Sequence, residues 1–260
     1  MAPKISIVTV SFNSVSTIEK TILSVVEQDY SEKEYIIIDG ASKDGTVDLI
    51  KKYSDRVTFW SSEPDKGIYD AMNKALDRVT GDWVIFMNAG DIFSDRTSLS
   101  RVFSNKNYEG VGVVYGDINQ YYEGFGSFVR RYNDIEHSEV PYSICHQAAF
   151  TRANLLKKYG FDTSFRICAD AESFLRMFKD GADFRYVPEI IATFDATDGC
   201  SSVNFLKFYN ERVRVRGIRR GSLLWLMGYL KMLLNTMILK VLPKKMYTAR
   251  QYKRLKRIYR

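Results

Sequence analysis

The chain has 260 residues, of which 45% are hydrophobic, and a formal net charge of +7. This length can bury a large core as one domain with an appendage. The three cysteines are far apart and form no CxxC pair, which excludes a recognisable zinc motif and indicates free thiols in a reducing compartment. The N-terminal residues lead directly into a β-rich segment, so we expect no signal peptide.

The charge is distributed unevenly. Residues 205–260 contain 16 Lys and Arg and a single acid, Glu211, whereas residues 1–204 contain 22 basic and 30 acidic groups. An acidic body therefore precedes a basic tail. We predict one domain over residues 1–204 and a basic, apolar helical extension over residues 205–260.

The first 90 residues alternate between apolar, β-branched runs and helical patterns. The predicted strands are Ile5–Phe12, Tyr35–Ile38, Val57–Trp60 and Trp83–Met87. The predicted helices start after a Ser16–Glu19 capping box, cover Thr46–Tyr53, and follow an apolar stripe from Ile68 to Val79. This alternation predicts an α/β fold with a mostly parallel sheet and flanking helices, in which ligands bind at the carboxyl ends of the strands.

Polar side chains cluster at those predicted strand ends. The candidates in the first half are Ser11, Asn13, Asp39, Glu63, Asp65, Asn88 and Asp91. The second half is mixed, with a strand at Val111–Tyr115 and helices near Arg152–Tyr159 and Asp170–Lys179. We expect the ligand site at the rim formed by the first half.

Two of these segments also fit ordinary turns. Asp39 opens Asp-Gly-Ala-Ser-Lys-Asp-Gly-Thr, a composition that also suits a turn and a helix N-cap. Glu63, Asp65, Lys66 and Gly67 precede a helix N-terminus, which favours phosphate and acidic groups, although a Pro-Asp turn is the alternative. Asp70 and Asn73 lie one helical turn apart on the polar face, where a solvated surface is a fair rival to a binding role.

Two sequence words carry a family resemblance. Glu63-Pro-Asp-Lys-Gly-Ile-Tyr-Asp-Ala-Met-Asn73, followed after an apolar strand by Asn88-Ala-Gly-Asp91, resembles family 2 glycosyltransferases of the bacterial colanic-acid and capsule type. The resemblance covers about residues 1–215. It implies a GT-A type nucleotide-diphospho-sugar transferase fold, with the Glu63–Gly67 turn, Asp70 and Asn73 along the nucleotide-sugar cleft. It also implies that Asp39 accepts a hydrogen bond from the nucleobase.

The resemblance places Asn88-Ala-Gly-Asp91 in the slot of a DxD motif. It therefore implies that Asp91 binds Mg²⁺ or Mn²⁺ on the diphosphate of the donor, and that Asn88 makes a weaker contact. These cations keep several waters and need only one or two carboxylates. Asn88 and Gly90 stand where the wider family often has Asp, which leaves metal dependence open.

The resemblance also implies a general base in the second half. Asp170 matches the base of inverting members, with Glu172 as the second choice and a helix N-cap as the structural alternative. Arg176 is expected to orient the carboxylate or a phosphate. His146 and Gln147 match a recurring "HQ" word and are expected near the acceptor or diphosphate, and the Asp198–Ser202 loop is expected to close over the site.

The tail is interpreted from its own chemistry. Arg212–Arg220 precedes an apolar segment from Ser222 to Leu242, and Trp225, Tyr229 and Tyr247 suit a membrane interface. Its longest uncharged stretch is shorter than the roughly 20 residues that span a bilayer. We expect in-plane attachment to anionic lipid, with a helix on the core or a dimer contact as the alternative and nucleic acid ranked low.

The combined prediction is an inverting glycosyltransferase. It would move a sugar from a UDP- or GDP-sugar to a polyprenyl-diphosphate-linked glycan for capsule, exopolysaccharide or O-antigen. We expect it in the cytoplasm, attached peripherally to the inner face of the membrane. A nucleotidyltransferase or a non-catalytic nucleotide-binding scaffold at the membrane are the alternatives.

Overall fold

The structure, a computed structural model, describes residues 2–133, 137–197, 204–241, 246, 248–249, 252–253 and 256. The predictions for the Asp198–Ser202 loop, for Cys200 and for Tyr247 lie outside these residues. The helices of the described part are α1 (Ile18–Val26), α2 (Thr46–Lys52), α3 (Ile68–Leu76), α4 (Ser98–Phe103), α5 (Val140–Ser143), α6 (Ala153–Tyr159), α7 (Ala169–Lys179), α8 (Phe205–Val215) and α9 (Leu223–Val241).

The strands of the described part join in one sheet. They are β1 (Ile5–Ser11), β2 (Lys33–Asp39), β3 (Phe59–Ser62), β4 (Trp83–Phe86), β5 (Ile92–Phe93), β6 (Val111–Tyr122), β7 (Gly126–Arg130), β8 (Ala149–Arg152) and β9 (Asp183–Asp195). Their order is β3-β2-β1-β4-β8-β6-β9-β5, and β7 pairs with β6. The first four strands are mutually parallel, and β9 is parallel to β6, whereas β8 runs antiparallel to β4 and β6. The predicted α/β fold with helices on a largely parallel sheet is confirmed.

Burial explains the apolar runs of the first half. All seven residues of β1 are buried, as expected for a strand covered on both faces. In α3 the buried side chains include Met72 and Ala75, which follow the predicted stripe, whereas Ile68 at its start is 40% exposed. The helix stripe therefore begins one turn later than the sequence pattern indicated.

Three local predictions differ from the structure. Helix α1 begins at Ile18 after Thr17 with no side-chain cap, so the Ser16–Glu19 capping box is wrong. Glu19 instead accepts hydrogen bonds from Lys52 Nζ at 2.8 Å and Tyr53 Oη at 2.7 Å, because α1 and α2 lie side by side. Strand β3 lies two residues later than predicted. Strand β6 continues past Tyr115 to Tyr122, because β7 and β9 supply pairing partners along its second half.

The sheet register brings the predicted site residues to one edge. Ser11 pairs with Asp39 and Asp39 pairs with Ser62, so the carboxyl ends of three parallel strands are level. The turn after β4 lies beside them, since the Ala89 amide donates to Val10 O at 3.1 Å. This edge is where open parallel sheets bind ligands.

The C-terminal helices α8 and α9 pack against each other. Tyr209 on α8 donates to Trp225 O on α9 at 2.7 Å, and a Cβ at Gly228 would collide with the Tyr209 ring, so glycine allows the close approach. One face of α9 is open: Leu223, Met227, Leu230, Leu234 and Met237 are 54–74% exposed. Of the helices that the structure describes, not one has both the length and the apolar character needed to cross a bilayer. The boundary at residues 204 and 205 stays a prediction.

Candidate active site

Asp39 lies at the end of β2, is fully buried and is surrounded by serines. Its Oδ1 accepts from Ser11 Oγ at 2.9 Å and Ser42 Oγ at 2.5 Å, and its Oδ2 accepts from the Ser42 amide at 2.9 Å and Ser62 Oγ at 2.6 Å. An ionised carboxylate offers about four acceptor positions, and these four donors occupy them. A direct bond from Asp39 to a nucleobase N–H therefore requires one serine hydroxyl to turn away.

The loop after β1 is tied to the same cluster. Asn13 adopts a left-handed backbone (φ 47°). Its backbone N–H donates to Ser42 Oγ at 2.7 Å, and its side-chain Oδ1 accepts the Lys43 backbone amide at 3.0 Å. Phe12 is 63% exposed, and an added Cβ at Gly40 would lie 3.3 Å from its ring. The exposed Phe12 ring is therefore available for stacking next to Asp39. The sequence pattern placed Phe12 inside the buried strand Ile5–Phe12, whereas the strand ends at Ser11, so no signal singled this residue out.

Two nearby carboxylates, Asp65 and Asp70, accept backbone amides of the Glu63–Gly67 turn and stabilise it. Asp65 Oδ1 accepts the Gly67 amide at 2.7 Å, and Asp70 Oδ2 accepts the Lys66 amide at 2.9 Å. Gly67 has φ +122°, and a Cβ there would lie 2.6 Å from Arg166 Nη1, so only glycine suits the position. An added Cβ at Gly40 would lie 2.5 Å from Asp65 Oδ2, which places this turn against the Asp39 rim.

Asn73 and Arg176 do not belong to this rim. Asn73 donates to Phe161 O at 2.8 Å and accepts the Phe161 amide at 2.9 Å, so both ends of its amide hold α3 to the chain before α7. Arg176 donates to Tyr159 O at 2.7 Å and Glu172 Oε1 at 2.8 Å rather than to Asp170. The contacts that the structure shows for Asn73 and Arg176 are thus structural, and their ligand roles stay predictions.

Asn73, Glu172 and Arg176 line a different cleft of about 590 Å³, to which Lys157 and Lys158 also contribute. Asp170 is absent from the described residues that line this cleft. Helical geometry explains the separation, because Asp170 and Glu172 are two positions apart on α7 and cannot share a face. Glu172, the second choice for the base, thus lies apart from Asp170.

Asp170 joins a cluster drawn from four segments. It is the second residue of α7, whose N-cap is Cys168, so the N-cap alternative for Asp170 is wrong. Asp170 Oδ2 lies 3.0 Å from His146 Nδ1, and Oδ1 accepts the Ala171 amide at 2.9 Å. Tyr69 Oη donates to Ile167 O at 2.8 Å and lies 3.3 Å from Asp170 Oδ1. The Asp170 side chain keeps 17% exposure, so a ligand can reach it.

His146 connects this base to the turn after β4. Its Nε2 lies 3.0 Å from Asn88 Nδ2, which donates, so neutral His146 carries its proton on Nδ1 and donates to Asp170. Burial lowers the pKa of His146, but Asp170 and Asp91 outweigh burial, and the pKa is raised overall. The "HQ" word is thus a physical bridge between two predicted site segments.

Asp91 is the most deeply placed acid of the cluster. It is 9% exposed, and its Oδ2 accepts from Gln147 Nε2 at 3.1 Å. Burial raises the pKa of Asp91 to about 6, and His146 and Gln147 oppose the rise. A buried carboxylate of this kind is stabilised by a cation.

Asn88 and Asp91 fit a hard divalent cation shared with phosphates. The side-chain oxygen Asn88 Oδ1 is buried and finds no hydrogen-bond partner among the described residues. In the same part of the chain, no group of three His, Cys, Asp or Glu side chains is arranged around a cation. One carboxylate and one amide oxygen are sufficient where substrate phosphates and water supply the other ligands.

Comparison with known proteins identifies the family. The Glycosyl transferase family 2 profile matches residues 6–184. This chain belongs to glycosyltransferase family 2. The PGL/p-HBAD biosynthesis glycosyltransferase of Mycobacterium bovis is 28% identical over 221 residues, which cover 82% of this chain and 84% of that protein. The chain is therefore a glycosyltransferase, and the recognised resemblance is confirmed.

Solved structures match the fold of this family 2 enzyme. Mannosyltransferase PcManGT from Pyrobaculum calidifontis, in complex with GDP-Man and Mn²⁺, superposes with a TM-score of 0.67 at 18% identity, over 97% of this chain and 80% of that one. S. aureus TarS 1-349 with UDP-GlcNAc gives 0.66 at 17% identity, over 90% and 72%. In the UDP complex of TarS 1-349, the chain spans 64% of that protein, just under two thirds. At these identities the likeness establishes the GT-A fold.

Proposed function

We propose that this glycosyltransferase moves a sugar from a UDP- or GDP-sugar to a hydroxyl group of a lipid-linked glycan, with inversion at the anomeric carbon. The observation that carries the proposal is the bridge from Asn88 through His146 to Asp170. It couples a turn suited to a metal and diphosphate with an accessible carboxylate. The ligands of PcManGT and TarS support a nucleotide-sugar donor.

In this proposal the donor lies along the strand ends of the first half. Phe12 stacks on the nucleobase, and Asp39 accepts a base N–H after one serine hydroxyl rotates. The Gly67 turn approaches the ribose and phosphates, and the exposed Lys66 adds positive charge. UDP and GDP both carry an N–H that a carboxylate can accept, so Asp39 suits either.

Asp91 and Asn88 would hold Mg²⁺ or Mn²⁺. When bound, the cation offsets the negative charge of the nucleoside diphosphate. The chain's own contribution is to keep Asp91 buried and oriented by Gln147. The presence of Mn²⁺ in the PcManGT complex supports this choice of metal.

Asp170 acts as the general base. It takes the proton of the acceptor hydroxyl as that oxygen attacks the anomeric carbon, and the bond to the diphosphate oxygen breaks on the opposite face. The Nδ1–H of His146 and the Ala171 amide hold the two carboxylate oxygens in place. The Asp170 carboxylate is thus held in position while its exposed part remains accessible to the acceptor hydroxyl.

The acceptor is proposed to be lipid-linked because of helix α9. Its exposed stripe Leu223, Met227, Leu230, Leu234 and Met237 repeats every three or four residues, and exposed Arg219, Arg220 and Lys231 accompany it. An apolar face with adjacent cations suits in-plane binding to an anionic bilayer, which would keep the enzyme at the inner membrane face.

Vesicle binding tests this attachment. Leu230→Glu with Leu234→Glu is expected to abolish co-sedimentation with phosphatidylcholine–phosphatidylglycerol vesicles, because two charges enter the apolar face. Lys106→Glu at an exposed position far along the chain changes the net charge equally and serves as the control. Unchanged pelleting of the double variant would refute membrane binding through α9.

A donor screen tests the whole proposal. UDP- and GDP-sugars are titrated with Mn²⁺ while the melting temperature is followed, since a ligand of the folded state raises it. A single donor class is expected to raise Tm only with metal and to release free nucleotide when lipid extract is added. Binding without nucleotide release would favour the scaffold alternative, and pyrophosphate release from a nucleoside triphosphate would favour a nucleotidyltransferase.

A further inference from the structure

Arg212 on α8 is a half-buried arginine without an anionic partner. Its guanidinium packs over the Phe208 ring, with the carbon 5.5 Å from the ring centroid. Within the described part of the chain, no carboxylate or other acceptor lies at hydrogen-bond or ion-pair distance from it. Burying a cation without a partner is costly, so such a residue calls for an explanation.

The neighbouring arginines of the same helix provide the comparison. Arg214 contacts Asp162 Oδ2 at 3.2 Å and covers the Phe165 ring at 3.9 Å. Arg216 contacts Glu139 Oε2 at 2.6 Å. Both are exposed and paired, whereas Arg212 is more buried and unpaired. Pairing with a local acid therefore does not account for Arg212.

Helix α8 is docked against the segment that leads to the base. The Glu211 carboxylate accepts the backbone amides of Arg166, Ile167 and Cys168 at 3.0, 2.8 and 3.0 Å. Cys168 is the N-cap of α7 and precedes Asp170 by two residues. Glu211 thus fixes the position of the next residue, Arg212, relative to the base helix.

The charges that act on the Cys168 thiol agree with this position of α8. Burial raises the pKa of this thiol, the negative charges of Asp170 and Glu211 raise it further, and Arg212 lowers it. Burial lowers the pKa of Arg212 most, and Arg216 and Arg130 lower it further, whereas Cys168 and Glu139 oppose the fall.

We propose that Arg212 binds a phosphate or diphosphate group of the acceptor beside Asp170. This inference rests on the proposed function and deepens it by naming the acceptor class: a sugar attached directly, or through one more sugar, to a lipid phosphate. Guanidinium groups suit phosphate because they donate two parallel hydrogen bonds to it.

The direction of the contacts favours the acceptor over the donor. The Asn88 side chain is linked to Asp170 through His146, whereas Arg212 lies on α8, which Glu211 holds to the backbone amides just before α7. Helix α8 also leads into α9, whose apolar stripe would meet the lipid chain of an acceptor held at Arg212.

Geranyl diphosphate, a short soluble isoprenyl diphosphate, is the probe. It is titrated calorimetrically into the full chain with EDTA present, so that no metal can bridge the diphosphate to Asp91. Arg212→Gln is expected to weaken this binding ~10-fold or more, and Arg212→Lys less, because lysine keeps the charge but not the paired donors. Arg214→Gln, on the same helix, is the control and should change it less than about twofold.

Titrations of UDP and GDP with Mn²⁺ distinguish a site for the acceptor phosphate from a site for the donor diphosphate. Arg212→Gln should leave nucleotide binding unchanged. Three results would each overturn the inference. One is that the unaltered protein does not bind geranyl diphosphate, and another is that Arg212→Gln and Arg214→Gln weaken this binding equally. The third is that Arg212→Gln weakens only the binding of UDP or GDP. In all three cases the donor screen still decides the proposed function, because it does not involve Arg212. Equal thermal unfolding of the variants guards against misfolding.

Discussion

The surroundings of Asp39 and Asp170 differ in how completely protein groups occupy the carboxylate oxygens. Asp39 is fully buried and accepts four hydrogen bonds, all from serines within 28 residues of it along the chain. Asp170 keeps 17% exposure and has one side-chain partner, His146, with Tyr69 farther away at 3.3 Å. One carboxylate organises the rim, and the other remains accessible to a substrate.

The difference has an energetic consequence. A carboxylate that satisfies several buried donors contributes to stability, because each donor left without an acceptor costs roughly 1–3 kcal/mol. A partly exposed carboxylate with few partners contributes less and can exchange protons. Asp39 is thus expected to affect folding and binding together, and Asp170 to affect turnover alone.

The largest effect is expected for Asp170→Asn. The amide keeps the shape and still accepts the Ala171 amide, but its NH₂ faces the Nδ1–H of His146 and cannot accept a proton. The value of kcat should therefore fall about 10²–10⁴-fold while the donor KM stays nearly constant. Initial rates of nucleotide release from the donor found in the screen provide the measurement. Glu172→Gln, on the same helix but in the other cleft, is the control and should retain near-normal turnover. Turnover at the original rate in Asp170→Asn would remove its assigned role.

Much of this contrast was accessible from the sequence. Three isoleucines before Asp39 predicted a buried strand, and in-register parallel pairing then brought the strand ends together. The Asn88-Ala-Gly-Asp91 motif also lies at that edge of the sheet, since the Ala89 amide donates to Val10 O. The first prediction depends on a local apolar run that is typical of a buried strand, and the second on the family resemblance.

The contacts that the sequence did not indicate depend on long-range partners. The resemblance implied that Asn73 lies along the cleft and that Arg176 orients a carboxylate or phosphate. In the structure both side chains bind the backbone of a neighbouring segment, at Phe161 and Tyr159, which helical spacing does not reveal. His146 contacts Asn88, 58 residues before it, and Asp170, 24 residues after it. No local sequence pattern indicates contacts over such separations. In the sequence Arg212 is one of many cations of the tail. Composition does not reveal which of these cations form ion pairs.

The smaller effect, and the sharper test of the contrast, concerns Asp39 and Ser62. Asp39→Asn brings an amide NH₂ towards serine donors, so the free energy of unfolding should drop by about 1–3 kcal/mol and affinity for the donor nucleotide by ~10-fold. Ser62→Ala removes one donor from Asp39 Oδ2 and opens an acceptor position for a base N–H. It should therefore bind UDP or GDP as well as the unaltered protein or up to a few-fold better. Calorimetric titration with Mn²⁺ measures both variants, and equal weakening in the two would mean that Asp39 only braces the rim.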